Sequence, residues 1–178
     1  MYYQLAKHRV METERLILRP ITLDDADDLF EYASDIDNTR HVFPTHQSID
    51  ETNWVISNLF MKNPLGHFAI ELKESGKMIG TCDIRPNETA QSVELAYAIN
   101  KRYWGQGLAP EAAKKLLDFS IEHLKARRIW AAHDYENHAS GRVMEKIGMT
   151  HEGVIRMRKN LCGELRDAVI HSYIVSEH

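Results

Sequence analysis

One segment of the chain combines the residue types of an anion-binding turn. It reads Gly105-Gln106-Gly107-Leu108-Ala109-Pro110 and follows a predicted strand that ends near Asn100, with Pro110 at the first position of a predicted helix. The first N–H groups of a helix have no intrahelical acceptor and carry the positive end of its dipole. Glycine lets an anion approach without a Cβ in the way. The turn therefore predicts a site for a phosphate ester, although a plain strand-to-helix connection would use the same residues.

The residues around the turn narrow the kind of phosphate site. Lys101 and Arg102 add positive charge beside it. A P-loop needs Lys and then Ser or Thr directly after its last glycine, whereas Leu108 stands here, so nucleotide hydrolysis is not indicated. A dinucleotide fingerprint needs a third glycine where this chain has Pro110, so an NAD site is not indicated either.

Composition and charge limit the class of protein. The 178 residues are 43% hydrophobic and 27% charged, which fits a single domain spanning 1–178. The net charge of -4 argues against a nucleic-acid partner bound through a basic face. No apolar run approaches the roughly 18 residues of a membrane span, and the N-terminus lacks a secretory h-region. We therefore expect no membrane partner and a cytoplasmic location.

Cysteines and histidines do not form a recognisable metal motif. Cys82 and Cys162 lack a C-x-x-C spacing and are expected to be buried or half-buried thiols. The ten histidines include no H-E-x-x-H, and His133 and His138 are five residues apart rather than the three or four that align ligands on a helix. We therefore predict no metal.

Hydrophobic periodicity predicts the elements that must hold the turn in place. At the front, residues 15–20 alternate as a half-buried strand, and N-cap signals at Thr22 and Ser48 each begin an amphipathic helix. An antiparallel meander follows, and helices and strands then share the rest of the chain. The predicted meander strands are 67–74, 77–85 and 92–100; the later elements are a helix over 110–125, a strand over 128–134, a helix over 137–147 stopped by Gly148, and strands over 150–158 and 167–175.

Three segments together resemble one known family. Residues 102–107 resemble the R/Q-x-x-G-x-G/A pyrophosphate loop of the GNAT acyl-CoA N-acyltransferases. Residues 137–149 resemble the N-x-x-S-x-x-x-x-E-K-x-G-F signature of the branch that contains ribosomal-protein N-terminal (alanine) acetyltransferases, and residues 12–30 are similar to that branch's opening strand and helix. The resemblance implies an α/β (α+β) GNAT fold. Its mixed, mostly antiparallel sheet of six to seven strands would be flanked by helices and splayed between the strands at about 92–99 and 128–134.

The resemblance also implies the co-substrate and how it is held. Acetyl-CoA would lie in the gap of the sheet, with its pyrophosphate on the glycine turn and its pantetheine arm extending the hydrogen bonding of the strand before it. Asn137 would offer its amide to the pantetheine, although an Asn that only caps the next helix is equally compatible with the sequence. The cofactor-binding residues implied in this way are Tyr97, Ala98, Ile99, Arg102, Gly105, Gln106, Gly107, Leu108, Ala109 and Asn137.

The implied reaction is direct acetyl transfer from the thioester to an amine. Glu94 shares a strand face with Ala96 and Ala98 and matches the family's proton-accepting glutamate, although a strand glutamate without a role is the alternative. Many GNAT enzymes use a tyrosine as the acid in a segment L-Y-E-K, and here Met144 stands in its place. Ser140 would then lie near the sulfur, unless its hydroxyl only serves the start of the helix. A backbone N–H between Tyr97 and Ile99 would meet the oxyanion.

The acceptor side of the site is predicted from aromatic residues and from the pKa of the possible amines. His41, Phe43, Trp54 and Phe60 are candidates for lining the acceptor side, although core packing explains the aromatic residues as well. Neutralising an α-amine with a pKa near 8 at pH 7 costs about 1.4 kcal/mol, against about 4.6 kcal/mol for a lysine. This favours a protein N-terminus, with a polyamine or antibiotic amine as the small-molecule alternative and a non-catalytic acyl-CoA-binding module as the alternative of another class. A homodimer would fit the resemblance.

Overall fold

The computed structural model describes residues 1–175 and contains one mixed sheet with helices on both faces. The strands are β1 (Met11–Glu12), β2 (Leu16–Arg19), β3 (His67–Leu72), β4 (Lys77–Asn87), β5 (Ser92–Ile99), β6 (Arg128–Asp134), β7 (Thr150–Lys159) and β8 (Leu165–Ile174). The helices are α1 (Tyr2–Lys7), α2 (Ala26–Ala33), α3 (Ile36–Thr39), α4 (Ile49–Val55), α5 (Leu108–Glu122) and α6 (His138–Lys146). Short 3₁₀ turns span Leu23–Asp25 and Lys101–Tyr103, and a π-helical turn, Ile56–Met61, continues α4.

The strands of the sheet are arranged in the order β1-β2-β3-β4-β5-β6-β8-β7. All neighbouring pairs are antiparallel except β5 and β6, which are parallel. The predicted mixed, mostly antiparallel sheet is therefore confirmed. The predicted count of six to seven strands is wrong, because the structure adds the two-residue strand β1. The helices α1 and α3 were not predicted either, since segments of four to six residues are too short to show a clear period.

Side-chain alternation along β5 divides its residues between two hydrophobic cores. Val93, Leu95 and Ile99 pack in the larger core, under α5, whereas Ala98 packs in the smaller core, under α2. Glu94 and Ala96 alternate with the first set and therefore lie on the same face as Ala98. The predicted shared face of these three residues is confirmed.

The sheet opens between its two parallel strands. Residues 92–94 of β5 pair with residues 128–130 of β6, and among the described residues this pairing ends at Glu94 and Trp130. Beyond that point β5 continues along β4, while β6 continues along β8. The predicted splay is thus confirmed, and it leaves one edge of β5 facing a gap.

The predicted N-caps of the two front helices are confirmed, whereas α5 begins two residues earlier than predicted. Thr22 and Asp25 form a capping box before α2, and Ser48 Oγ accepts from Glu51 N at 3.2 Å at the start of α4. Helix α5 begins at Leu108, so Pro110 is its third residue and not its first. Proline is tolerated there because the first N–H groups of a helix lack an intrahelical acceptor.

Two expectations drawn from composition can be compared with the structure. Cys82 is buried as expected, but Cys162 is exposed, because it lies in the connection between β7 and β8. Among residues 1–175, every helix is too short or too polar to cross a bilayer.

Candidate active site

A cavity of about 570 Å³ occupies the gap between β5 and β6. Both predicted catalytic residues, Glu94 and Ser140, line it, together with Tyr97, Ala98 and Asn137. Ile99, Arg102 and residues 105–109 are not on its wall and lie at the end of β5 and the start of α5. The fold thus places the predicted residues along one path, which runs from the cavity past the end of β5 to the glycine turn.

The glycine turn has the backbone shape of an anion site. Gly105 and Gly107 have φ values of +77° and +78°, in the left-handed region that favours glycine. Gly107 is the N-cap of α5, so the N–H groups of Leu108 and Ala109 belong to the first turn and have no acceptor within the helix. A Cβ built on Gly105 would meet no atom within 4 Å. The space above the turn is therefore open, as binding a phosphate requires.

Two buried asparagines hold the 3₁₀ turn Lys101–Tyr103, which leads into the glycine turn, against the end of β5. Asn38 Nδ2 donates to Ile99 O at 3.2 Å, and its Oδ1 accepts from Lys101 N at 2.6 Å. Asn100 Oδ1 accepts from Arg102 N at 3.1 Å. Sequence reasoning missed both residues, because Asn38 comes from α3, more than sixty residues away, and carries no local motif.

The charged side chains near the turn are already paired. Arg102 Nη1 lies 3.1 Å from Glu31 Oε1, and Lys101 Nζ lies 2.5 Å from Asp35 Oδ2. Much of the positive charge predicted beside the turn is therefore directed to carboxylates of the front helices.

Arg15, which contacts the glycine turn itself, is a third residue that sequence reasoning missed. Its Nη1 donates to Gln106 O at 3.0 Å, and its Nε donates to Glu111 Oε2 at 2.7 Å. Burial raises the pKa of Glu111, but hydrogen bonds from Thr13 and Arg15 outweigh it and lower that pKa below its usual value. The pair therefore clamps the first turn of α5 to the start of β2.

Glu94 faces the cavity between two guanidinium groups. It lies opposite Arg85 in the β4–β5 register, and its Oε1 is 3.9 Å from Arg85 Nη1. The same oxygen is 3.9 Å from Arg158 Nη2 of β7, and the Glu94 side chain is 24% exposed. Both distances exceed hydrogen-bond range, so the carboxylate is surrounded by positive charge but still open to a ligand.

The first turn of α6 forms the opposite wall. Asn137 Oδ1 accepts from Ser140 N at 3.2 Å, so the helix-capping role of Asn137 is confirmed. Its Nδ2 has no hydrogen-bond partner within residues 1–175 and remains available to a ligand. The Tyr97 hydroxyl lies 2.9 Å from Ser140 O, to which it can donate, and 3.0 Å from Ser140 Oγ, where either hydroxyl can be the donor. Met144 is buried on the same helix and lines the cavity.

Backbone alternation along β5 determines which groups face the gap. Asn100 N donates to Ile79 O of β4 at 2.8 Å. Because the backbone groups of successive residues point to opposite edges of a strand, the even-numbered residues of β5 also direct their N–H and C=O groups to β4. Ala98 belongs to that set, which leaves its backbone paired with β4. Tyr97 and Ile99 face the gap, but Ile99 O already accepts from Asn38 and from Trp104 Nε1. Among the three predicted residues, Tyr97 therefore presents both of its backbone groups to the gap.

The predicted acceptor-side residues all lie on the cavity wall. His41, Phe43, Trp54 and Phe60 line it, between the front helices and the hairpin of β7 and β8. Trp54 is 65% exposed, so core packing does not account for its position. Phe43 packs edge-on against buried Tyr32, with ring centroids 6.4 Å apart, and so belongs to both the wall and the core.

One group of possible metal ligands lies beside the cavity. The ligand atoms of His41, Asp134 and Glu136 lie within 4.8 Å of one another. Arg166 already contacts both carboxylates, with its Nε 2.8 Å from Asp134 Oδ2. The negative charge of the group is therefore compensated by a side chain, as in an ordinary ion-pair network.

A mixed sheet that splays between two parallel strands, with a glycine turn at the start of the helix after the first of them, is the arrangement that the resemblance to acyl-CoA N-acyltransferases implies. The chain matches the acetyltransferase (GNAT) domain over residues 15–150, and it belongs to this family. The sequence resemblance to GNAT enzymes is thereby confirmed, and the protein is an N-acetyltransferase.

Individual relatives agree with this assignment. The chain is 30% identical over 171 residues to the uncharacterized N-acetyltransferase p20 of Bacillus licheniformis, and the match covers 93% of this chain and 96% of that protein. A GNAT-family acetyltransferase from Bacillus anthracis has a TM-score of 0.82 at 26% identity, covering 93% of this chain and 98% of that chain. The ribosomal-protein-S5-alanine acetyltransferase from Vibrio fischeri has a TM-score of 0.72 at 21% identity, over 93% of this chain and 96% of that chain, and shows the shared fold alone.

Proposed function

We propose that the protein transfers an acetyl group from acetyl-CoA to a primary amine, with the α-amine of a protein or peptide N-terminus as the preferred acceptor. The observation that carries the proposal is the order of groups along the splayed edge of β5. Glu94 stands where the gap opens, the backbone of Tyr97 faces the gap, and the turn at Gly105 ends the path. A thioester donor with a diphosphate at its far end fits this order.

The residues of the path would each bind one part of the donor. N–H groups of Gly105 to Ala109 would hold the diphosphate, and the C=O of Tyr97 and the N–H of Ile99, which both face the gap, would pair with the amides of the pantetheine arm. The Nδ2 of Asn137 would reach the same arm from the other wall. When bound, acetyl-CoA supplies an activated acyl group whose carbonyl carbon an amine can attack.

The catalytic roles follow from what direct transfer needs. Glu94 would accept the proton of the attacking amine, directly or through a water molecule. The Tyr97 N–H would donate to the carbonyl oxygen as negative charge develops on it. Ser140, on the α6 wall, would donate to the sulfur as the thiolate departs. These three groups lie around one gap, which supports their joint assignment.

The charges of the acceptor side favour an α-amine over a polyamine. Asp83 Oδ2 is 2.6 Å from Arg85 Nη2, and Asp134 pairs with Arg166. The negative charge of these two carboxylates is therefore already compensated by arginine side chains. Lys159 also lines the cavity and has no ion pair within the described residues. Near Glu94, a polyamine would bring further ammonium groups toward Arg85 and Arg158, at a cost that grows in a partly desolvated site. A peptide N-terminus brings a single amine with the lower pKa.

A thiol-release assay with acetyl-CoA tests the class of reaction and the acceptor together. We expect faster release with N-terminal peptides than with spermidine or an aminoglycoside at equal concentration. Faster release with spermidine would overturn the acceptor assignment, and no release with any amine would favour the binding-module alternative. Replacing acetyl-CoA with succinyl-CoA in the same assay measures the acyl preference.

The proposed base is tested by Glu94→Gln. This variant keeps the size of the side chain and should lower kcat at least tenfold while the dissociation constant of CoA stays within about twofold, because the loss of one general base costs roughly 10²–10⁴ in rate. Glu74→Gln, in the exposed turn between β3 and β4, is the matched control and should leave kcat unchanged. Equal turnover of Glu94→Gln and the wild type would rule out the assignment.

A further inference from the structure

The Tyr97 side chain connects the two walls of the cavity. It starts on β5 and ends at the first turn of α6, where its hydroxyl is 2.9 Å from Ser140 O and 3.0 Å from Ser140 Oγ. Burial raises the pKa of Tyr97 and outweighs the hydrogen bond with Ser140, which lowers it. The phenol therefore keeps its proton at neutral pH and can act as a hydrogen-bond donor.

The hydrogen-bonding capacity of this pair leaves one donor for a ligand. The Ser140 carbonyl lies in the first turn of α6 and can accept the helical N–H of Met144. The single Tyr97 proton is within reach of both Ser140 O and Ser140 Oγ, and when it points to Oγ the Ser140 hydroxyl proton needs another acceptor. Ser140 lines the cavity, so that acceptor can be an atom of the bound donor.

The position one helical turn beyond Ser140 provides no hydroxyl. Met144 follows Ser140 by four residues, so both side chains lie on the same face of α6. Met144 is 2% exposed and has no hydrogen to donate to a sulfur. Among the residues that line the cavity, hydroxyl groups belong to Thr81, Tyr97 and Ser140, and Thr81 is on β4. The linked pair is therefore the hydroxyl source nearest to α6.

We propose that Tyr97 is a positioning residue for the departing thiolate, and this inference rests on the proposed function. Tyr97 donates to Ser140 Oγ, and the Ser140 hydroxyl is thereby directed to the sulfur. As the C–S bond of the tetrahedral intermediate breaks, its electron pair goes to sulfur and the Ser140 hydrogen bond stabilises the resulting anion. No proton has to leave Tyr97 or Ser140, because the amine proton goes to Glu94 and the thiolate takes its proton from water after release.

Tyr97→Phe tests the proposal, because it removes one oxygen and keeps the ring packing. We expect kcat to fall about tenfold, with the KM for acetyl-CoA and the thermal midpoint little changed. In Ser140→Ala the same loss of kcat should already be present, and the double variant should be no slower than Ser140→Ala. Tyr173→Phe is the matched control, since Tyr173 packs against the same core without lining the cavity.

Each outcome of this experiment has a distinct meaning. Unchanged kcat in Tyr97→Phe, with an active wild type, overturns the inference and leaves the proposed function intact. A loss that adds fully to that of Ser140→Ala, or that appears in KM and thermal stability instead of kcat, also overturns it, because Tyr97 would then act independently of Ser140. A wild type that releases no thiol with any amine overturns the proposed function itself.

Discussion

The phosphate assignment is tested most directly by comparing Gly105→Ala with Gly76→Ala. Both glycines have left-handed φ values, +77° and +69°, and a Cβ built on either one meets no atom within 4 Å. Gly76 lies in the turn between β3 and β4, away from the gap, whereas Gly105 lies in the proposed diphosphate turn. The two substitutions therefore impose the same backbone strain at one functional and one non-functional position. Gly107 is a less suitable position, because its Cβ would lie 3.6 Å from Arg15 Nη2.

The expected effects differ because strain and binding are separate free energies. A non-glycine residue in the left-handed region costs about 1–2 kcal/mol, so each variant should lose about that much of its free energy of unfolding. Typical stabilities of 5–15 kcal/mol leave both variants folded. The Gly105 methyl would also occupy phosphate space and remove one charge-assisted hydrogen bond, worth about 1.5–3 kcal/mol. The dissociation constant of CoA should then rise about 10- to 100-fold in Gly105→Ala alone.

Titration calorimetry with CoA measures the affinity of each variant, and urea unfolding measures its stability. The expected pattern is a similar loss of unfolding free energy in both variants with a loss of CoA affinity in Gly105→Ala only. If both variants bound CoA with wild-type affinity, the open space at Gly105 would not be a phosphate site. If both lost affinity equally, the effect would come from destabilisation and the reasoning would be refuted.

Three further predictions concern the supports of the site. Asn38→Ala removes the hydrogen bonds to Ile99 O and Lys101 N, which precede the glycine turn, and should cost about 1–3 kcal/mol in urea unfolding, with weaker CoA binding in calorimetry. Burial lowers the pKa of His133 and His171, which stack with centroids 5.5 Å apart, so the unfolded state binds more protons below about pH 6.5. The contribution of these histidines to the free energy of unfolding should be constant above that pH and should decrease as pH falls, by at most about 1.4 kcal/mol per pH unit for each histidine. A free energy of urea unfolding that does not change from pH 8 to 5 would contradict this. A Cβ on Gly141 would lie 2.8 Å from His133 Nε2, so Gly141→Ala should cost about 1–3 kcal/mol and lower kcat by displacing the start of α6.

Much of the fold could be predicted from local signals. The alternation of residues 92–99, the N-cap signals at Thr22 and Ser48 and the glycine turn each depend on neighbours a few residues apart. The elements predicted from these signals are present in the structure because each signal depends on interactions within one strand, turn or helix end. The short elements β1 and α3 escaped prediction for the same reason, since two to four residues cannot display a period.

The sequence by itself thus determined the family and the gap between two particular strands. Only the tertiary structure decided how the residues of the site are supported: Asn38 holds Lys101 N from 63 residues away, Arg15 reaches Gln106 O across 91 residues, and Tyr97 meets Ser140 across 43. Such contacts depend on strand register and on how far the sheet splays, which are properties of the whole packed sheet. No local stretch of the chain encodes them, because each partner becomes a neighbour only after folding.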